Sequence, residues 1–289
     1  MPKLSICIPA VNEEKYLPAL LQSIEEQTFR DYEVIVAVDP RTKDRTEELA
    51  REMGAAVTVG GPSPAIGRNR AAAPATGEVI LFLDSDVVLP DPRFLEATVA
   101  ELDERGLDFA TCQIDPRSDR LVDRVFHDAF NYFLLMTAAR MPHAPGFCIF
   151  VRRRVHEALR GFDESIKLAE DHDYVMRAAK IGKFGVLRSF KIPVSVRRFD
   201  RDGRFNIARK YLLAELYLRT KGRVNEKDIH YDFNHYDEER ITAAKEMKRQ
   251  FESVAKLAQA KARKLNEILK REMKRPKGVK PRKRAVLKK

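Results

Sequence analysis

The chain has 289 residues, 44% of them hydrophobic and 34% charged, with a formal net charge of +11 at pH 7. That is enough apolar material for one large or two small domains, and 15 Pro and 13 Gly are too few for a collagenous or low-complexity protein. The charge is unevenly spread: residues 241–289 hold 18 Lys and Arg against 4 Asp and Glu, whereas the preceding 240 hold 36 against 39. A mildly acidic body carries a strongly basic tail. Cys7, Cys112 and Cys148 stand far apart with no C-x-x-C pair, which argues against a disulfide-built fold and for a reducing compartment. The opening MPKLSICIPA enters a strand pattern at once and is unlike a signal peptide. The most apolar stretch, Phe126–Met141, is broken by His127, Asp128, Asn131 and Arg140, short of the roughly 20 apolar residues of a spanning helix. The expected location is cytoplasmic, with peripheral contact at the inner face of a membrane.

In chain order, Leu4–Ile8 reads as a buried strand stopped by Pro9, and Glu13–Gln27 has the apolar spacing of a helix. Tyr32–Val38 is a second strand, Thr46–Met53 a helix with Gly54 just past its end, and Ala56–Val59 a third strand. Ala65–Ala75 is a small-residue helix, and Glu78–Leu83 a fourth strand running into Asp84-Ser85-Asp86. This alternation predicts an α/β fold with a mostly parallel, Rossmann-like sheet flanked by helices. The second half is less regular. Phe109–Ile114 and Phe147–Val151 read as strands around a helix at 121–139, a helix runs from Glu170 to Ile181, and Gly185–Leu187 and Val194–Val196 are strand-like. A helical pattern follows Gly203, and apolar residues from Ile241 to Leu269 recur at spacings of three and four before a Pro- and Lys-rich end expected to be disordered. The expected division is a domain over 1–225 and a basic helical extension over 226–289.

Two acidic constellations carry the chemistry. Alternate residues of an extended segment face one way, so Asp84 and Asp86 are expected to point together at the carboxyl end of a sheet strand. Hard oxygen donors there suit Mg²⁺ or Mn²⁺ held partly through a substrate's phosphates; the alternative is a solvated turn. Arg68, on the helix before this strand, brings a cation towards the same place. The second constellation is Glu170-Asp171 with Asp173, at the start of a helix whose dipole favours anions. These acids are either a proton acceptor and its neighbours or ordinary first-turn residues. No G-x-x-x-x-G-K-[ST] or G-x-G-x-x-G phosphate motif occurs.

Four blocks, IPAVNEE at 8–14, VIVAVDPRTKDRT at 34–46, GRNRAAAPATGEVILFLDSD at 67–86 and GFDESIKLAEDHDYVMR at 161–177, together resemble a family-2 inverting glycosyltransferase of GT-A fold. The resemblance implies a nucleotide-sugar donor, UDP- or GDP-linked, and a glycan or lipid-linked acceptor. It implies that Pro9, Ala10, Val11 and Glu13 wrap the nucleoside, that Asp39 bonds the base, and that Arg68, Asp84 and Ser85 lie along the nucleotide. Asp86 becomes the metal ligand and Asp171 the general base, with Glu170 beside the acceptor. Arg197 and Arg198 fall where the family closes a basic loop on the diphosphate, or are a solvated pair. Gly146 lines the acceptor pocket or is simply a turn. The family's D-D-G-S-T-D run is Asp39-Pro40-Arg41-Thr42-Lys43-Asp44 here, lacking the second Asp and the Gly. The absence of Trp disfavours the Q-x-x-R-W signature of processive synthases. Rival readings are an inactive nucleotide-binding domain of the same fold and a nucleotidyltransferase. The basic tail suits an anionic membrane, docking on the domain or on a second copy; with Phe251 as its sole aromatic it lacks the stacking residues of a nucleic-acid binder.

Overall fold

A computed structural model describes residues 1–138, 141–166, 169–194 and 196. Arg197, Arg198, the helix expected after Gly203 and the amphipathic basic tail lie outside the described residues. In chain order the elements are β1 (Leu4–Ala10), α1 (Leu17–Glu25), β2 (Tyr32–Val38), α2 (Thr46–Glu52), β3 (Ala56–Val59), α3 (Pro64–Ala72), β4 (Val79–Leu83) and α4 (Phe94–Glu104). There follow β5 (Phe109–Pro116), α5 (Leu121–Thr137), β6 (Cys148–Arg152), α6 (Arg153–Leu159), α7 (Glu170–Ala178) and β7 (Phe184–Val194). No described helix is long and apolar enough to cross a membrane.

The strands form one sheet in the order β3-β2-β1-β4-β6-β5-β7. β3, β2, β1 and β4 are parallel neighbours, so their carboxyl ends share one edge. β6 runs antiparallel between β4 and β5, with Cys148 opposite Leu83, so the residues before β6 arrive at that same edge. Alternation along β1 sends Leu4, Ile6 and Ile8 to one core with α1, α2 and α4, and Cys7 to the other with α3, α6 and α7. Gly67 lets α3 approach β1 closely, since a Cβ there would lie 2.8 Å from the Cβ of Pro9.

Three local expectations are corrected. α1 starts at Leu17, not Glu13, because residues 13–16 form a turn in which Tyr16 N–H donates to the Glu13 carbonyl. The two short segments expected near 185–196 are one strand, β7, whose pairing with β5 shifts between Leu187 and Lys191. Glu101 on α4 accepts the backbone N–H groups of Arg188 and Ser189 at this irregularity. Helices α4 and α6, absent from the sequence reading, complete the two layers.

α7 is held against β4 by an aromatic stack. The rings of Phe162 and Tyr174 lie parallel with centroids 4.0 Å apart, and Phe162 meets Phe82 of β4 edge-on at 5.1 Å. His156 Nδ1 lies 2.8 Å from the Tyr174 hydroxyl. Burial, aided by the charge of Arg177, lowers the His156 pKa to about 4. A base depressed in the folded chain takes its proton first in the unfolded one, so its contribution to stability is present above about 6.5 and lost as pH falls towards about 4. Urea unfolding of wild type and His156→Gln is expected to diverge in that acid window, with the variant showing the weaker pH dependence.

Candidate active site

The candidate site lies along the carboxyl edge of the sheet. On the β1–β2 side, Asp39 N–H donates to the carbonyl of Ala10 at 2.9 Å, which fixes the end of β2 beside Pro9 and Ala10. Val11 and the left-handed Asn12 lead to Glu13, whose N–H donates to Thr46 Oγ1 at 2.7 Å. Asn12 Oδ1 accepts from Lys43 N–H at 2.9 Å. These bonds tie the loop after β1 to the loop after β2.

Asp39 is buried and fully engaged by a residue the sequence reading passed over. Arg41 donates to Oδ1 from its backbone N and Nε at 2.8 and 3.0 Å, and to Oδ2 from Nε and Nη2 at 3.2 and 2.6 Å. The guanidinium holds the Asp39 carboxyl below its usual range. An Arg two residues after an Asp that ends a strand was the available signal.

At the centre, Arg68 is 3% exposed and bridges two elements distant in sequence. Nη1 donates to Glu170 Oε1 at 2.7 Å and Nη2 to Asp84 Oδ1 at 3.0 Å, while Nε has no partner among the described residues. Burial opposes the guanidinium charge, but Asp84, Glu170 and Asp171 outweigh it and its pKa ends raised. Arg68 is thus enclosed by carboxylates, not a cation held out from the helix surface. Burial and the neighbouring Asp171 charge push the Glu170 carboxyl up, against the pull of Arg68. Glu170, expected beside the acceptor, has its side chain buried here. Gly146 packs directly over the guanidinium, since a Cβ there would come within 2.3 Å of Nη2.

Asp171 stands beside this bridge. Its Oδ2 accepts from Gly146 N–H and its Oδ1 from His172 N–H, each at 2.8 Å. Two donors against about four accepting positions leave each carboxylate oxygen further capacity. The preceding Ala169 is left-handed, with φ of 59°, a conformation that costs a non-glycine residue about 1–3 kcal/mol. Asp173 pairs instead with Arg177 at 2.7 Å. Asp84-Ser85-Asp86 is a turn, closed by Val87 N–H to the Asp84 carbonyl at 3.2 Å, so the alternation expected of an extended segment does not apply. Ser85 is buried, and Asp84 and Asp86 are half-buried at the strand end. Among the described residues no three His, Cys, Asp or Glu side chains form a metal-holding group.

Sequence and structure comparisons match this architecture. Residues 5–160, more than half of the chain, match glycosyl transferase family 2. The chain belongs to glycosyl transferase family 2. It is 40% identical over 115 residues to the 4,4'-diaponeurosporenoate glycosyltransferase of Staphylococcus haemolyticus, covering 36% of this chain and 30% of that protein. It is 27% identical over 190 residues to the poly(ribitol-phosphate) beta-N-acetylglucosaminyltransferase TarS of Staphylococcus aureus, covering 62% and 32%. The chain thus spans less than a third of the length of these two curated relatives. Among solved structures, the Pyrobaculum calidifontis mannosyltransferase PcManGT with GDP-Man and Mn²⁺ superposes with a TM-score of 0.61 at 20% identity, over 78% of this chain and 65% of that one. The Mycobacterium tuberculosis glucosyl-3-phosphoglycerate synthase with Mn²⁺, UDP-glucose and phosphoglyceric acid gives 0.54 at 18% identity, over 78% and 82%. These two likenesses show the GT-A fold.

Removing the cation from this buried cluster leaves two carboxylates facing each other. Arg68→Met is therefore expected to destabilise the protein by about 3–5 kcal/mol in urea unfolding. Arg68→Lys is expected to recover only part of that, because an ammonium lacks the planar fork that reaches two partners.

Proposed function

We propose that this protein transfers a sugar, with inversion, from a nucleoside diphosphate sugar to an acceptor hydroxyl. The observation that carries the reading is the placement of the Asp171 carboxylate, anchored by two backbone N–H groups, at the sheet edge that also bears Asp84 and Asp86. The nucleoside lies along Pro9, Ala10, Val11, Glu13 and Asp39, and the diphosphate near Asp84, Ser85 and Asp86. Arg197 and Arg198, which lie outside the described residues, are assigned to the same diphosphate by residue type alone. The acceptor enters on the side of Gly146.

In the transfer, the acceptor oxygen attacks the anomeric carbon opposite the leaving group. The hydroxyl proton passes to Asp171, the bond from the anomeric carbon to the phosphate oxygen breaks, and the nucleoside diphosphate leaves with the electron pair. Arg68 does not touch the reacting atoms; it fixes Glu170, and through the adjoining backbone Asp171. The half-buried carboxylate of Asp86 is a hard oxygen donor that would hold Mg²⁺ or Mn²⁺. Bound there, such a cation supplies neutralisation of the charge that develops on the leaving diphosphate.

Two experiments test this. Whichever of UDP and GDP fits is expected to raise the melting temperature in the presence of Mn²⁺, by mass action on the folded state. EDTA and Asp86→Ala are expected to remove the metal-dependent part; a shift indifferent to EDTA would reject the metal assignment. For the base, Asp171→Asn is expected to keep nucleotide affinity while lowering kcat by roughly 10²–10⁴, the contribution of positioned proton transfer. Asp173→Asn is expected to cost far less, because Asp173 pairs with Arg177. Full turnover in Asp171→Asn would reject its role as base.

A further inference from the structure

Helix α5 buries a mixed face and exposes an apolar one. On the inward face Leu134 is fully buried, Asn131 exchanges two hydrogen bonds of 2.8 Å with the backbone of Ile114, and Asp123 accepts from Ser118 Oγ at 2.6 Å. Its outward face is apolar. Leu121, Val122, Val125, Tyr132 and Met136 are between 55% and 76% exposed. At about 100° per residue these five fall within one arc of about 100°. Of the twelve large apolar side chains exposed among the described residues, six lie on this helix. Single exposed apolar residues are ordinary, whereas a contiguous stripe marks a contact surface.

The stripe leads to the catalytic edge. Phe133, on the flank of α5, meets the His143 ring at 5.1 Å, and His143 meets His172 at 4.8 Å. His172 follows Asp171 and donates its N–H to that carboxylate. Whatever covers α5 therefore lies beside the acceptor side of the site.

We propose that the outward face of α5 rests on an anionic lipid surface. Two observations favour lipid over a second copy of the chain. Seventeen residues make a strip about 25 Å long and 10 Å wide, far below the about 800 Å² per partner of a stable dimer. The same chain carries 18 Lys and Arg against 4 Asp and Glu in residues 241–289, complementary to anionic headgroups, and stable peripheral binding takes two such signals.

The full chain, which contains no Trp, offers a clean probe. Tyr132→Trp is a conservative exchange on the exposed face. The emission of the single introduced indole is expected to shift to the blue on addition of phosphatidylcholine–phosphatidylglycerol vesicles and to be quenched by bromolipid. Raising the salt to about 1 M shortens the Debye length to about 3 Å, so attraction through the tail fades while apolar contact through α5 persists. Under those conditions the triple variant Val125→Asp, Tyr132→Asp, Met136→Asp is expected to lower vesicle partition by at least about tenfold, since charged groups replace buried apolar ones. Unshifted indole emission from the Tyr132→Trp protein, or equal partition of triple variant and wild type, would overturn the proposal. So would a dimer of the wild type that the triple variant splits, or a large loss of thermal stability in that variant, which would mean protein covers the face. Donor hydrolysis to water in vesicle-free solution is expected to be the same in both. If that hydrolysis is missing from wild type while vesicles still bind, the enzyme reading fails and the lipid contact stands.

Discussion

The arrangement depends on one buried cation. Arg68 joins Asp84, at the end of β4, to Glu170, at the start of α7, two residues 86 positions apart in sequence. Burying these charges is expensive unless the geometry is good, so the bridge tolerates little displacement of either element. Two glycines make room for it. Gly67 brings α3 against β1, and Gly146 lets the chain before β6 pass over the guanidinium. The position of Asp171 is inherited from this bridge, because its neighbour Glu170 is locked and its own oxygens are bound by Gly146 and His172.

A second constraint acts from beneath. Ala169 holds a left-handed conformation that side chains other than glycine adopt at a cost, and helix α7 begins immediately after it. The helix stays in place because Tyr174 and Val175 are fully buried and Tyr174 stacks on Phe162, which in turn meets Phe82 of β4. Packing of the α7 core face thus offsets local strain at its first turn. Ala169 and Asp171 are two positions apart.

How much of this was legible in the sequence follows from the range of each interaction. β1 to β4 and their helices announce themselves through local apolar periodicity, and the bounds of the four strands are found within two residues. β7 does not, because Arg188, Ser189 and Lys191 interrupt its pattern where Glu101, from another element, takes over the backbone donors. The acidic positions at 84, 86 and 171 stand out as residue types in motif blocks. The enclosure of Arg68 does not, since a buried Arg and a solvated helix Arg look alike until partners 16 and 102 residues away are known. The engagement of Asp39 by Arg41 is local and was readable in principle. α5 misleads in a different way, because a helix with its apolar face outward has the same periodicity as one with that face inward.

The electrostatics of the edge tie these features together. Asp39, Asp84, Asp86, Glu170 and Asp171 gather there with Arg41 and Arg68, so these seven side chains carry a formal charge of −3. The Arg41 charge is committed to Asp39 and that of Arg68 to Asp84 and Glu170. Asp171 is held by the N–H groups of Gly146 and His172 instead. A diphosphate approaching this edge adds further negative charge in a region where partly excluded water screens it weakly. Repulsion must be relieved by a cation arriving with the substrate or by basic residues brought over it from elsewhere in the chain. Arg68 cannot supply that relief without abandoning Asp84 and Glu170, the two carboxylates it joins. The two neighbouring acids are held differently: Glu170 has a cation of its own and serves the framework, whereas Asp171 is held by two neutral N–H groups.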